Sequence, residues 1–137
     1  MARESLLKKK ERMAKIIGIL KLEYPESKCS LNYETPFQLL LATILSAQCT
    51  DERVNKVTSK LFLKYPSPID YCNMTIDQIG KEIYSTGFYN NKAKSIKGMS
   101  EMLLEYFNGI VPDNIDDLVG LPGVGRKTAN VVLGNYF

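Results

Sequence analysis

Thr35-Pro36 is followed by FQLLLATILSAQ, and this stretch constrains the fold more than any other part of the chain. Threonine suits a helix N-cap because its hydroxyl accepts a hydrogen bond from an N–H of the first turn. Proline suits the next position, where no N–H is needed. The helix that starts there is apolar on every side. A surface helix hides one stripe, whereas a helix without a polar face has to be enclosed by others. The chain therefore needs further helices to cover a buried central one.

The rest of the sequence supplies them. Strand signals are scarce, and apolar residues recur at helical spacing with cap and breaker residues between the segments. A first helix is expected over about 3–23, carrying Leu6, Leu7, Met13, Ile16, Ile17 and Leu20 on one side. Thr50 or Asp51 caps a helix over about 51–64, and Ser67-Pro68 repeats the cap-plus-proline start for a short one. Thr75 with Gln78 resembles a capping box that opens a helix closed by Gly87. A long helix runs to about 107 and ends at Asn108-Gly109, and Asp113 starts a short one through about 119. The fold class is all-α, a compact multi-helix bundle with connections of a few residues.

Bulk properties agree. The chain has 137 residues, 45% apolar and 24% charged, enough for one domain with a real core. No stretch is apolar over the roughly 18 residues a membrane span needs, and MARESLLKKKERMAK is no secretion signal, so no membrane partner is expected and a cytoplasmic, nucleoid-associated location is. Cys29, Cys49 and Cys72 are odd in number and spaced for neither a metal site nor a disulfide framework, so they are read as ordinary thiols with no metal. The net charge of +3 is small, but Lys92, Lys94 and Lys97 lie in a segment without acids, as do Arg126 and Lys127. A polyanion can be met locally there, or these lysines form a solvated helix face.

LPGVG, residues 121–125, joins two short helices as a helix-hairpin-helix at about 113–136. Its glycines are free to adopt positive φ and bring N–H groups close to another molecule, while the final helix presents its unpaired N–H groups and positive dipole end. That is a site for an anion such as DNA phosphate; a plain helix-helix turn explains Leu121, Pro122 and Gly123 equally well. Lys127 sits in the first turn of that helix, where the dipole disfavours an ammonium unless it meets an anion or is used as an amine. An amine with a lowered pKa can attack an electrophilic carbon and form a Schiff base; the alternative is an exposed surface lysine.

LPGVGRKTANVVL, together with LLLATILSAQCTD at 39–51 and STGFYNNKAKSI at 85–96, closely resembles endonuclease III, a DNA glycosylase and abasic-site lyase family of the helix-hairpin-helix superfamily. The resemblance implies base-excision repair of double-stranded DNA containing damaged pyrimidines or abasic sites, by Schiff base and β-elimination. It places Lys127 on the nucleophile and Gln48 on the residue that fills the hole left by a flipped nucleotide. Phe88 stands where the family has a wedging leucine. Gly123, Val124 and Gly125 fall on the phosphate-contacting hairpin, flanked by Arg126 and Thr128, and its carbonyls in this family can hold a monovalent cation. Asn90 and Lys92 are placed on the DNA face. Gln48 and Phe88 also suit the polar end of a core helix and a core aromatic, and Asp51 suits an N-cap.

The family further carries an aspartate in a VDTH-like segment and four cysteines for a 4Fe-4S cluster, and neither occurs before Phe137. The expectation is a C-terminally truncated form without a cluster in this chain, impaired alone and needing a missing C-terminal segment or chain. Residues 1–24 are then an N-terminal helix that would pack on the missing cluster domain, and 25–137 are the helical domain. A non-catalytic helix-hairpin-helix DNA-binding module remains the alternative. The adenine-mismatch branch of the superfamily is disfavoured, since it lacks a lysine where Lys127 stands.

Overall fold

A computed structural model of the chain describes residues 30–135. The helix expected over 3–23 and Cys29 lie outside the described residues. From Leu31 onward the described residues belong to one unit. Its regular elements are all helical: α1 Pro36–Leu45, α2 Asp51–Lys64, α3 Pro68–Cys72, α4 Ile76–Ile83, a 3-10 turn Tyr84–Thr86, α5 Tyr89–Phe107, α6 Ile115–Val119 and α7 Arg126–Asn135.

Local chemistry sets most of the boundaries. Thr35 caps α1 by accepting from the Gln38 N–H at 3.1 Å. At α2 the cap is Thr50, accepting from Arg53 N–H at 3.1 Å, so Asp51 is the first helical residue, where its charge suits the positive dipole end. The Thr75–Gln78 capping box forms in both directions, at 2.8 and 3.1 Å. Two boundaries differ from the sequence reading. The helix expected to run to Gly87 leaves α geometry at Ile83 and finishes as the 3-10 turn before Gly87, at φ 81°. At α6 the cap is Asn114, accepting from Asp117 N–H at 2.9 Å, because Asn114 holds the extended backbone a cap requires.

α1 is the buried centre that its composition demands. Eight of its ten residues are buried, and it packs against α2, α5 and α7. Its one long polar side chain, Gln38, is satisfied where it lies: Oε1 accepts from Glu34 N–H at 2.8 Å and Nε2 donates to Pro66 O at 3.3 Å. α3 and α4 pack on the long α5, whose Ile96, Met99 and Leu103 are fully buried at helical spacing. Tyr71, at the end of this layer, is buried beside the Phe37 and Tyr65 rings and donates its hydroxyl to Tyr65 O at 2.7 Å. α6 and α7 pack on each other, and α7 lies on α1. The hairpin is thus carried by the central helix.

Candidate nucleic-acid interface

Between α6 and α7 the turn is closed from inside. Leu121 and Val124 are buried, and Val124 N–H donates to Leu121 O at 3.1 Å. Gly123 takes φ 78°, and a Cβ built on it would stand 2.6 Å from Ser95 Cβ and 2.9 Å from Ser95 Oγ. Pro122 presses on the same helix about one turn further on, since a Cβ on Gly98 would meet Pro122 Cγ at 3.1 Å. Gly123 and Pro122 therefore dock the hairpin onto α5. Gly125, exposed like Gly123, differs in two ways: its φ is not positive, and a Cβ there would meet nothing within 4 Å. The two glycines of one motif have separate tasks, internal packing for Gly123 and open access for Gly125.

Gly125 O accepts from Ala129 N–H at 2.9 Å, which makes Gly125 the cap residue of α7 and leaves that helix without a side-chain cap. Threonine or asparagine side chains cap α1, α2, α4 and α6, but none caps α5 or α7, and neither has an acid in its first turn. Both starts offer N–H groups and positive potential to an outside anion. Arg126 and Lys127 are exposed at the α7 start and Thr128 is half-buried. Among the described residues the Lys127 ammonium takes no ion pair or hydrogen bond.

Gln48 and Phe88 come together. They share the rim of an open cleft of about 260 Å³ with Ile44, Ala47, Asn91, Lys92, Ser95 and Gly123. Both are exposed, Phe88 at 62%, so Phe88 is not the core aromatic that the alternative reading allowed, while Gln48, three residues past Leu45, still suits the polar end of a core helix. Both also hold left-handed backbone, at φ 52° and 48°. Among the described residues only one other non-glycine does so, Asn108 at the end of α5, where such a conformation is an ordinary helix stop. For a bulky residue it is a strain of about 1–2 kcal/mol, the kind retained at functional positions.

Two expected DNA-facing residues are corrected. Val124 is 5% exposed with its N–H already donated, so its side chain shapes the turn from within and its N–H is not offered to a phosphate. Lys92 is 4% exposed, and its Nζ donates to Leu45 O and Thr86 O, each at 2.8 Å. Burial lowers its pKa below that of an ordinary lysine, with the Cys49 thiol acting weakly in the other direction. A buried amine of this kind is what a search for a nucleophile would select, but its Nζ is engaged by two backbone carbonyls. Lys97 is likewise engaged, donating to Cys72 O at 2.9 Å and Met74 O at 2.7 Å. Of the three lysines read as a basic face, Lys94 alone is exposed. Asn90 is exposed but off the cleft; the residues that sequence reading missed are its neighbour Asn91 and, one turn on, Ser95.

Among the described residues no three His, Cys, Asp or Glu side chains group to hold a metal ion, so they offer no donor set for an iron–sulfur cluster and no step below runs through one. Cys49 and Cys72 are free thiols, half-buried. No described helix is long and apolar enough to cross a membrane.

Comparison with known proteins bears on the same elements. The endonuclease III of Synechocystis sp. is 54% identical over 129 residues, which are 94% of this chain and 59% of the relative. A solved non-covalent endonuclease III–DNA complex superposes with a TM-score of 0.80 at 45% identity, covering 99% of this chain and 58% of that one. A trapped endonuclease III–DNA covalent intermediate, an estranged-adenine complex, gives 0.77 at 45% identity over 96% of this chain and 57% of that one. The chain thus spans just under three fifths of the length of each. Residues 41–133, from inside α1 to inside α7, match the family described as HhH-GPD superfamily base excision DNA repair protein. With well over half of its residues matched, the chain belongs to the HhH-GPD superfamily of base excision DNA repair proteins.

Proposed function

We propose that the protein removes oxidised pyrimidines from duplex DNA and cleaves the abasic sites that result, with Lys127 as nucleophile. The observation that carries this reading is the pair Gln48 and Phe88, exposed on strained backbone at the rim of a cleft that reaches the hairpin. An enzyme acting on a base inside a duplex has to extrude it, at a cost of a few kcal/mol, and side chains that enter the gap offset that cost. An amide and an apolar ring held away from the protein surface suit that task. Gly125, Arg126 and the α7 start then hold the strand by its phosphates, with Asn90 as a further polar contact.

In the reaction, the unprotonated Lys127 Nζ gives its electron pair to the sugar C1′. The glycosidic bond leaves with the base, which takes a proton from solvent. The attacking nitrogen loses a proton, and its lone pair forms the iminium as the C1′–O4′ bond breaks and O4′ takes up a proton. Loss of a C2′ proton then expels the 3′ phosphate by β-elimination. That an endonuclease III–DNA covalent intermediate has been trapped supports this class of step. A monovalent cation on the hairpin carbonyls belongs to the same proposal and would add to the positive potential at the α7 start. So does a place of action on chromosomal DNA in the cytoplasm.

The test is borohydride reduction with abasic-site DNA. A covalent protein–DNA adduct that disappears in Lys127→Ala is the expected result. Salt-sensitive binding with no adduct would instead favour a helix-hairpin-helix module that holds DNA without chemistry.

A further inference from the structure

Lys92 is an expensive residue for its place. It lies in register with the buried stripe Ile96, Met99 and Leu103, where a methionine would fill the space with no ammonium to desolvate. No acidic side chain lines the cleft beside it. What the ammonium does there is bond two carbonyls, Leu45 O and Thr86 O, 47 and 6 residues away in the chain. Each carbonyl sits at the end of a helical segment, α1 and the 3-10 turn, where the backbone runs out of its own donors. Each also lies just upstream of a rim side chain: Leu45 is three residues before Gln48, and Thr86 is two before Phe88.

We propose that Lys92 is a positioning residue whose ammonium ties together the two segments carrying Gln48 and Phe88, and so fixes the gap across which those side chains enter a duplex. The inference rests on the proposed function. A single lysine suits the task because its long stem reaches from α5 and its three N–H donors serve two segments at once. Left-handed residues follow both tied segments, so the direction of each rim side chain is set by where its segment leaves the helix. Shifting one segment against the other changes the gap without touching the hairpin.

Binding of the full chain is measured by fluorescence anisotropy to two duplexes, one intact and one carrying a tetrahydrofuran abasic-site analogue, with 2-aminopurine opposite the analogue reporting entry of the rim side chains. Wild type is compared with Lys92→Met and Lys92→Gln, each also placed in a Gln48→Ala, Phe88→Ala background. Lys92→Met is expected to stay helical by circular dichroism and to bind intact duplex within about twofold of wild type, while its preference for the abasic duplex falls about tenfold, the scale of one lost charged hydrogen-bond pair. The 2-aminopurine signal falls with it. Lys92→Gln, which keeps a donor, recovers part of both. In the background lacking the two rim side chains the same substitution changes the preference by less than about twofold, because a residue acting through them has nothing left to position. Full preference in a helical Lys92→Met overturns the inference, and so does an equal loss with and without the rim side chains. Loss of helix in both the Met and Gln variants overturns it as well, since Lys92 would then support the whole bundle. Wild-type protein that binds the two duplexes equally refutes the proposed function itself, and is recognised before any variant is read.

Discussion

Alanine at the two hairpin glycines separates packing from access. At Gly123 the new Cβ would lie 2.6 Å from Ser95 Cβ and 3.4 Å from Ile44 Cδ1, on a backbone at φ 78°. The left-handed conformation costs an alanine about 1–2 kcal/mol. Forcing a methyl into a packed contact costs about 1–3 kcal/mol more, because the obstructing atoms belong to the stem of a side chain on a rigid helix and cannot swing away. The smaller unfolded-state entropy of alanine offsets about 0.4–1 kcal/mol. Gly123→Ala is therefore expected to lose about 2–4 kcal/mol, a fall in Tm on the order of 10 °C for a chain of this size. Gly125→Ala meets nothing within 4 Å and takes no positive φ, so its stability holds or rises by about 0.4–1 kcal/mol. Its methyl would stand where a phosphate approaches, so its DNA binding weakens.

The assay is urea denaturation followed by circular dichroism, with duplex binding measured on the same samples. Ser95→Gly provides the internal control, since it removes both atoms that the Gly123→Ala methyl would strike. The double variant should recover the steric share, a coupling of about 1–3 kcal/mol, and leave the φ penalty. A stable Gly123→Ala protein, or additive losses in the double variant, would refute the claim that the hairpin is docked on α5 through this contact.

Other expectations follow from single contacts. Phe88→Gly relieves left-handed strain, so it should stabilise the fold or leave it within about 1 kcal/mol while lowering preference for abasic-site duplex; a clear loss of stability in thermal melts would show that the ring is core after all. Arg126→Ala should weaken binding to all duplexes alike and reduce the slope of log K against log salt by about 1, measured by anisotropy over a salt series. Tyr71 has its pKa raised by burial first, then by Asp70 and Glu82. Below the ordinary tyrosine value near 10 its phenol is neutral folded and unfolded; as pH rises past 10 the unfolded chain ionises first, and stability falls by up to about 1.4 kcal/mol per pH unit. Tyr71→Phe should lose about 1 kcal/mol at pH 7 with the bond to Tyr65 O, yet lack that alkaline fall in urea titrations at pH 9–11.

How much of this was readable from residues alone depends on how far away the partner of each residue lies. α1 was readable because its demand is local: a cap, a proline and no polar face. The sequence leaves the α2 cap open between Thr50 and Asp51 and puts the α6 start one position early, at Asp113 instead of Asn114, because each cap has an acid beside it with the same chemistry and the choice falls to whichever residue takes the extended backbone. The tasks of Gly123 and Gly125 were not separable, since what differs between them is Ser95, nearly thirty residues earlier. The lysines of α5 were misread for the same reason. A lysine is usually assigned to the surface on burial statistics. Lys92, however, stands in step with Ile96, Met99 and Leu103 and has no acid within a helical turn on either side. A cation in that setting has no local partner and no solvent, so its counter-charge has to come from the carbonyl ends of other helices. Such a residue marks where distant segments meet, and here they are the two that carry Gln48 and Phe88.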